Sequence, residues 1–226
     1  GRCEQTLASG DVGVTRGRPR KTETQDALHG IMRAFWQNGY KATSMNDLVD
    51  ASGMAKPSLY AAFGDKEAMF EKSLLHYFDC YGDTVFGPLM RAEKHYLIDI
   101  RNLIQTVGYL AADKATPLGC FLFNAQVENA YGTEKHKVLL SDLGQTRYEG
   151  IRTRLLKAVD SGELGEEADI DALATYVDGQ LGAVSILART GASKIRIDQF
   201  VETAVKALPS ATPFDFDDFP EFTLRQ

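Results

Sequence analysis

At 226 residues with 44% hydrophobic content, the chain can bury a sizeable core without disulfide or metal staples. Its formal charge of -6 excludes a protein that coats nucleic acid indiscriminately, and no apolar run approaches the ~20 residues of a membrane span. Residues 1–72 carry 10 Lys or Arg against 9 Asp or Glu while residues 73–226 carry 15 against 22, so any affinity for phosphate belongs to the first third.

Gly1 to Val14 lacks the basic start and apolar stretch of a secretory signal, and a cytoplasmic location is expected. Thr15 to Thr22 reads TRGRPRKT, in which Gly17 and Pro19 break a basic run; residues 1–22 are expected to be a flexible basic arm. From Glu23 to Asn38, Leu28, Ile31, Met32, Phe35 and Trp36 recur at the spacing of one helical face, and Gly39 stops the helix. Ser44 and Asp47 form an S-x-x-D capping pair before a short second helix that Gly53 ends. Pro57 fits only the first turn of a third helix, whose Leu59 and Phe63 share an inward face. Asp65 caps a fourth helix through Phe70, Leu74, Tyr77, Phe78 and Tyr81, which Gly82, Gly87 and Pro88 are expected to interrupt.

Beyond Leu89 the period stays helical over about 94–113, 119–131, 133–161, 167–190 and 195–208, and no stretch alternates as a strand does. The expected class is therefore all-α with about nine helices. Residues 209–226 contain PFDFDDFPEF, an acidic Phe-rich tail that fits either a disordered end or an extended strap along the body.

Two short helices joined by a turn at Gly53 have the spacing of a helix-turn-helix, and an ordinary helical hairpin has it too. The stretch AFWQNGYKATSMNDLVDASGMAKPSLYAAFGDKEAMFEKSLLHY resembles the N-terminal domain of TetR-family regulators. Phe35, Gly39-Tyr40, Thr43, Leu48, Gly53-Met54, Leu59-Tyr60, Phe63 and Lys66-Glu67 stand in the same register. That resemblance implies a helix-turn-helix DNA-binding domain over 23–70 and a ligand-binding, dimerising domain over 71–208. It implies that Thr43, Ser44 and Tyr60 hold phosphates, that Lys56, Pro57 and Ser58 lie in or beside the major groove, and that Lys66 contacts backbone. Arg18, Arg20 and Lys21 of the arm are expected in a neighbouring minor groove. Ala55, Ala61 and Ala62 depart from the family pattern and leave fewer side chains to read bases.

In the second region, Pro117-Leu118-Gly119-Cys120-Phe121-Leu122-Phe123-Asn124 is similar to a P-x-G-C segment that opens the sixth helix in one subgroup, some of whose members respond to electrophiles or oxidants. The resemblance implies a small-molecule inducer, with Phe78, Phe86, Met90, Tyr109, Cys120, Phe121, Asn124 and Tyr148 as candidate ligand residues; any of them also fits plain core. It implies a homodimer through the 167–190 and 195–208 helices that bridges a palindromic DNA operator. A thiol sensor using Cys120 and a ligand-binding module without DNA affinity are the alternatives to a ligand-released repressor.

Cys3, Cys80 and Cys120, odd in number and widely spaced, fit reduced thiols. His76 and Cys80 lie at i, i+4, a spacing that can place both on one metal, but two ligands make no site unless Cys120 or His95 joins them. No metal and no cofactor are expected. The sequence shows no nucleophile–base pair, metal triad or glycine-rich phosphate loop, so it is not expected to be an enzyme.

Overall fold

A computed structural model of the chain describes residues 21–129, 132–216 and 219. Among these are nine helices: α1 (Lys21–Asn38), α2 (Met45–Ser52), α3 (Lys56–Phe63), α4 (Lys66–Arg91), α5 (Tyr96–Ala112), α6 (Phe121–Glu128), α7 (Glu134–Asp160), α8 (Ile170–Arg189) and α9 (Lys194–Lys206). No strand occurs among the described residues. Arg18 and Arg20 lie outside the described residues, and Lys21 is the first residue of α1. The chain divides into two compact units between Tyr81 and Gly82, within α4.

In the first unit the apolar stripe of α1 is buried as its period requires, with Ile31, Met32, Phe35 and Trp36 out of solvent together with Leu48, Leu59, Phe63, Met69 and Phe70. Aromatic edges lock α1 to α4: Phe35 meets Phe70 at 5.2 Å and Trp36 meets Tyr77 at 5.1 Å. Such edge-to-face pairs add about 0.5–1.5 kcal/mol each beyond the area they bury.

Contrary to the expected interruption, α4 runs unbroken through Gly82, Gly87 and Pro88 to Arg91. Pro88 falls in the last turn, where the missing N–H costs one intrahelical bond. The glycines cost about 1 kcal/mol each in helix propensity. Burial of Leu89 next to Pro88 works against that cost.

The second unit is built on α5, whose buried residues Tyr96, Leu97, Ile100, Leu103, Ile104 and Val107 pack with Val177, Leu181 and Val184 of α8 and Ile197, Val201 and Val205 of α9. From α7, Ile151, Leu155 and Ala158 close the same core. One guanidinium crosses it. Arg154 donates from Nε to Asp99 at 2.8 Å and from Nη2 to Glu163 at 3.2 Å and to the Lys94 carbonyl at 2.8 Å. Burial pushes the Asp99 carboxyl up to about 6 against the hydrogen bond and charge of Arg154, and the neighbouring Glu163 carboxylate adds to the rise.

Of the two forms open to the tail, its described part takes the strap. The Ala211 N–H donates to the Glu163 carbonyl, the Tyr96 hydroxyl donates to Pro209, and Phe214 lies 4.6 Å from the His95 ring. Phe219 receives Arg101 over its face at 4.6 Å. Phe214, Phe216 and Phe219 therefore extend the second core from an otherwise acidic segment.

Candidate nucleic-acid interface

The geometry of α2 and α3 follows from four local devices. First, Ser44 accepts the Asp47 N–H at 3.2 Å while Asp47 accepts the Ser44 N–H at 2.7 Å, a reciprocal capping box worth about 1 kcal/mol. The Ser44 N–H and hydroxyl hold the Asp47 carboxyl below its ordinary value. Second, Gly53 takes φ 64°, ψ 14°, a left-handed conformation that an L side chain rarely adopts, and so turns the chain from α2 towards α3. The Ser52 hydroxyl reinforces the turn by donating to Val49 and accepting the Met54 N–H.

Third, Pro57 occupies the first turn of α3. Fourth, the Lys72 ammonium donates to the Phe63 carbonyl at 2.9 Å, which places a cation on the C-terminal end of α3. This last contact was not foreseen. Its sequence signal, a lysine nine residues after the helix end, is too ordinary to read without knowing that α4 folds back.

Close helix packing completes the platform. A Cβ added to Gly30 of α1 would stand 2.0 Å from the carbonyl oxygen of Ala51, so only glycine lets the end of α2 approach this near. Seated on Leu59 and Phe63, α3 turns Lys56, Pro57, Ser58, Tyr60, Ala61 and Ala62 to solvent. The exposed face thus starts with a cation and a hydroxyl at the helix's N-terminal end, where free N–H groups favour anions. Ala55 caps α3 without a side-chain hydrogen bond, as the missing Ser or Thr implies.

The other expected phosphate ligands are placed unequally. Ser44 is exposed at the start of α2, with its hydroxyl in the capping box. Lys66 opens α4 and sits 4.6 Å above the ring of Tyr40. Thr43 does not fit its expected role. It is completely buried and its hydroxyl donates to the Gly39 carbonyl at 2.6 Å, because it ties the end of α1 to the approach of α2.

Comparison with known proteins bears on this geometry. Residues 27–72 match the model of bacterial regulatory proteins of the tetR family, and residues 98–204 match a tetracyclin repressor-like C-terminal domain. The HTH-type transcriptional repressor ComR of Escherichia coli (strain K12) is 30% identical over 198 residues, covering 88% of this chain and 94% of that protein. The chain belongs to the tetR family.

A second relative, the HTH-type transcriptional repressor AcnR of Corynebacterium glutamicum, is 24% identical over 80% of this chain and 90% of its own length. Among solved structures, a cysteine-substituted form of the TetR family regulator CifR, complexed with 26-bp operator DNA, superposes with a TM-score of 0.76 at 28% identity. That match covers 85% of this chain and 100% of the other. The chain is a helix-turn-helix transcriptional regulator, and α2 and α3 lie within the region that matches the tetR model.

In the family's second region, the candidate ligand residues fall into separate groups. Phe86 and Met90 of α4 lie against Gly150 of α7, with the neighbouring Tyr148 hydroxyl 3.4 Å from Asp171. Tyr109 of α5 donates to Asp198 of α9 at 2.5 Å beside Gln105, and burial with that carboxylate holds its phenol well above the ordinary value, at about 12. Cys120 precedes α6, its N–H donating to Ser185 at 2.8 Å. Phe121 is fully buried and Asn124 donates to the Leu118 carbonyl. Phe78 belongs to the first unit.

The cysteines also differ from the expectation of uniformly reduced thiols. Cys80 is disulfide-bonded, whereas Cys120 carries no disulfide and is of intermediate exposure. Cys3, the remaining member of that expectation, lies outside the described residues.

No described helix is long and apolar enough to cross a membrane.

Proposed function

We propose that the protein is a homodimeric repressor, acting in the cytoplasm, that holds a palindromic operator and releases it on binding a small molecule. The observation that carries this reading is the face of α3, where Lys56, Pro57, Ser58 and Tyr60 are exposed while Leu59 and Phe63 anchor the helix. A helix presented this way fits the major groove with its first turns at base edges. The naming of ComR and AcnR as repressors, and the operator bound to CifR, support the same assignment.

On this reading Lys56, Pro57 and Ser58 meet the groove. Ser44, Tyr60 and Lys66 hold phosphates, and Arg18, Arg20 and Lys21 reach a flanking minor groove. Thr43 is left out of the contact set because its hydroxyl is engaged inside the fold. A dimer would set two α3 helices about 34 Å apart, one turn of duplex. Ile186 and Ile195 of α8 and α9 are large apolar side chains in solvent, as a dimer surface on those helices would need. An effector then shifts operator affinity only through unequal binding to two states of that dimer.

A thiol-sensing repressor is the second reading. It is favoured by one observation: Cys120 carries no disulfide and stands at the N-cap of α6, where its backbone N–H donates to the Ser185 hydroxyl. The test is selection from a random duplex library followed by sequencing, with and without a mild oxidant. An enriched palindrome supports the repressor, and its loss on oxidation in the parent but not in Cys120→Ser selects the thiol reading. No enrichment at low salt overturns DNA binding and leaves a ligand-binding module.

A further inference from the structure

His76 and Cys80 stand one helical turn apart on α4, and the fold supplies the third ligand that sequence spacing alone lacked. It is neither Cys120 nor His95 but His29, brought in from α1. One candidate ligand atom from each of His29, His76 and Cys80 lies within 4.8 Å of the other two. The His76 Nε2 is 3.5 Å from the Cys80 sulfur, and the rings of His29 and His76 meet edge-on at 5.7 Å.

These distances can be set against coordination chemistry. With metal–sulfur and metal–nitrogen bonds of ~2.3 and ~2.0 Å, two ligands on one tetrahedral ion stand about 3.5 Å apart. The His76–Cys80 pair already has that separation, so a rotamer adjustment of His29 closes the set. All three side chains are partly buried, and the Nδ1 of His29 is buried with no hydrogen-bond partner among the described residues. A buried imidazole nitrogen without a partner is costly unless something else takes its lone pair or proton.

We propose that His29, His76 and Cys80, once the disulfide at Cys80 is reduced, form a binding site for a single d10 cation, Zn2+ or Cu+. Two imidazoles and a thiolate are the donor set both ions accept, whereas Mg2+ and Ca2+ require oxygen ligands. The reducing agent is a dithiol: it becomes a cyclic disulfide and the protein disulfide becomes two thiols. On metal binding the Cys80 thiol releases its proton to solvent, and each imidazole gives one nitrogen lone pair. An ion there staples α1 to α4. Because α1 carries Gly30 against α2, occupancy adjusts the same helices that seat α3.

The test uses the full chain, reduced with a dithiol, desalted anaerobically and titrated with Co2+ as a spectroscopic substitute for Zn2+. One equivalent per chain is expected, with near-ultraviolet thiolate-to-cobalt absorption and visible bands of tetrahedral intensity. Zn2+ should bleach both sets of bands. A parallel arm measures Cu+ by competition with a chromogenic chelator, and the tighter arm names the ion. His29→Ala, His76→Gln and Cys80→Ser should each weaken binding at least tenfold, while His95→Gln keeps it.

Circular dichroism of each variant separates loss of ligand from loss of fold, and the isosteric His76→Gln and Cys80→Ser carry the conclusion if His29→Ala unfolds. Absence of a stoichiometric complex in both arms overturns the proposal. So does binding that survives Cys80→Ser or matches that of the oxidised protein. None of these readouts uses DNA, so failure here is distinct from failure of the repressor reading.

Discussion

Alanine at position 30 gives opposite expectations from propensity and from packing. In an exposed helix interior, Gly→Ala stabilises by about 1 kcal/mol. Here the new Cβ would lie 2.0 Å from the Ala51 oxygen and 2.9 Å from its carbonyl carbon, both backbone atoms that no rotamer can move. Carbon and oxygen tolerate about 3.2 Å, so α1 and α2 must separate by more than an ångström. Overpacking of this kind costs about 1–3 kcal/mol, and with rigid obstacles the upper end applies. The net is a loss of about 2 kcal/mol from the first unit, a factor of about 30 in its folded-to-unfolded ratio.

The chain contains one tryptophan, Trp36, which packs in that unit against Tyr77 and Tyr81. Its fluorescence therefore reports the first unit selectively in a denaturant titration. Gly30→Ala should shift the midpoint down with little change in slope, and should weaken operator binding because α2 no longer seats α3 correctly. An unchanged or raised midpoint with full operator affinity would refute the reasoning and leave Gly30 as an ordinary helix glycine.

Lys66→Ala should weaken binding about equally across operator sequences and reduce the slope of log affinity against log salt by about one, measured by fluorescence anisotropy; a change in sequence preference would remove Lys66 from the phosphate set. Asp99 carries a pKa raised to about 6, so its contribution to stability is full below the ordinary carboxylate range and is lost as pH rises through about 6. Unit-two stability should therefore fall as pH rises from about 4 to above 6, and Asp99→Asn should flatten that slope in calorimetry. At Gly179 a Cβ meets nothing within 4 Å in the isolated chain, so Gly179→Ala should stabilise the monomer fold by about 0.5–1 kcal/mol. A loss of dimer in sedimentation by this variant would locate a partner at that position, and an unchanged dimer would place the interface elsewhere.

What was legible in the sequence is what local chemistry determines. The Ser44–Asp47 box, the left-handed Gly53 and the first-turn Pro57 mark α2 and α3 to the residue, because each device acts within four positions. The second-region helices follow from periodicity to within about three residues of where the structure ends them. Legibility fails where the cause lies far along the chain. Gly30 carries no motif, and its meaning depends on Ala51. Arg154 gathers Asp99 and Glu163 from other elements, and neither partner is marked by spacing. The persistence of α4 through Pro88 likewise depends on burial of its neighbours.

The same distinction bears on how this protein would read DNA. With Ala61 and Ala62 exposed on α3, few side chains on that helix can make directional contacts, chiefly Lys56, Ser58 and Tyr60. Each good base contact is worth about 1–3 kcal/mol, so a short list leaves a larger share of discrimination to the placement of α3 and to duplex shape. Placement is set by the approach of α1 to α2 at Gly30 and Ala51 and by the aromatic lock between α1 and α4. A perturbation of those helices, by a bulkier residue at position 30 or by an ion held between His29, His76 and Cys80, should therefore alter operator affinity without touching a DNA-facing atom. In a regulator with a richer recognition helix the same displacement would be buffered by contacts that re-form. Here little would replace them.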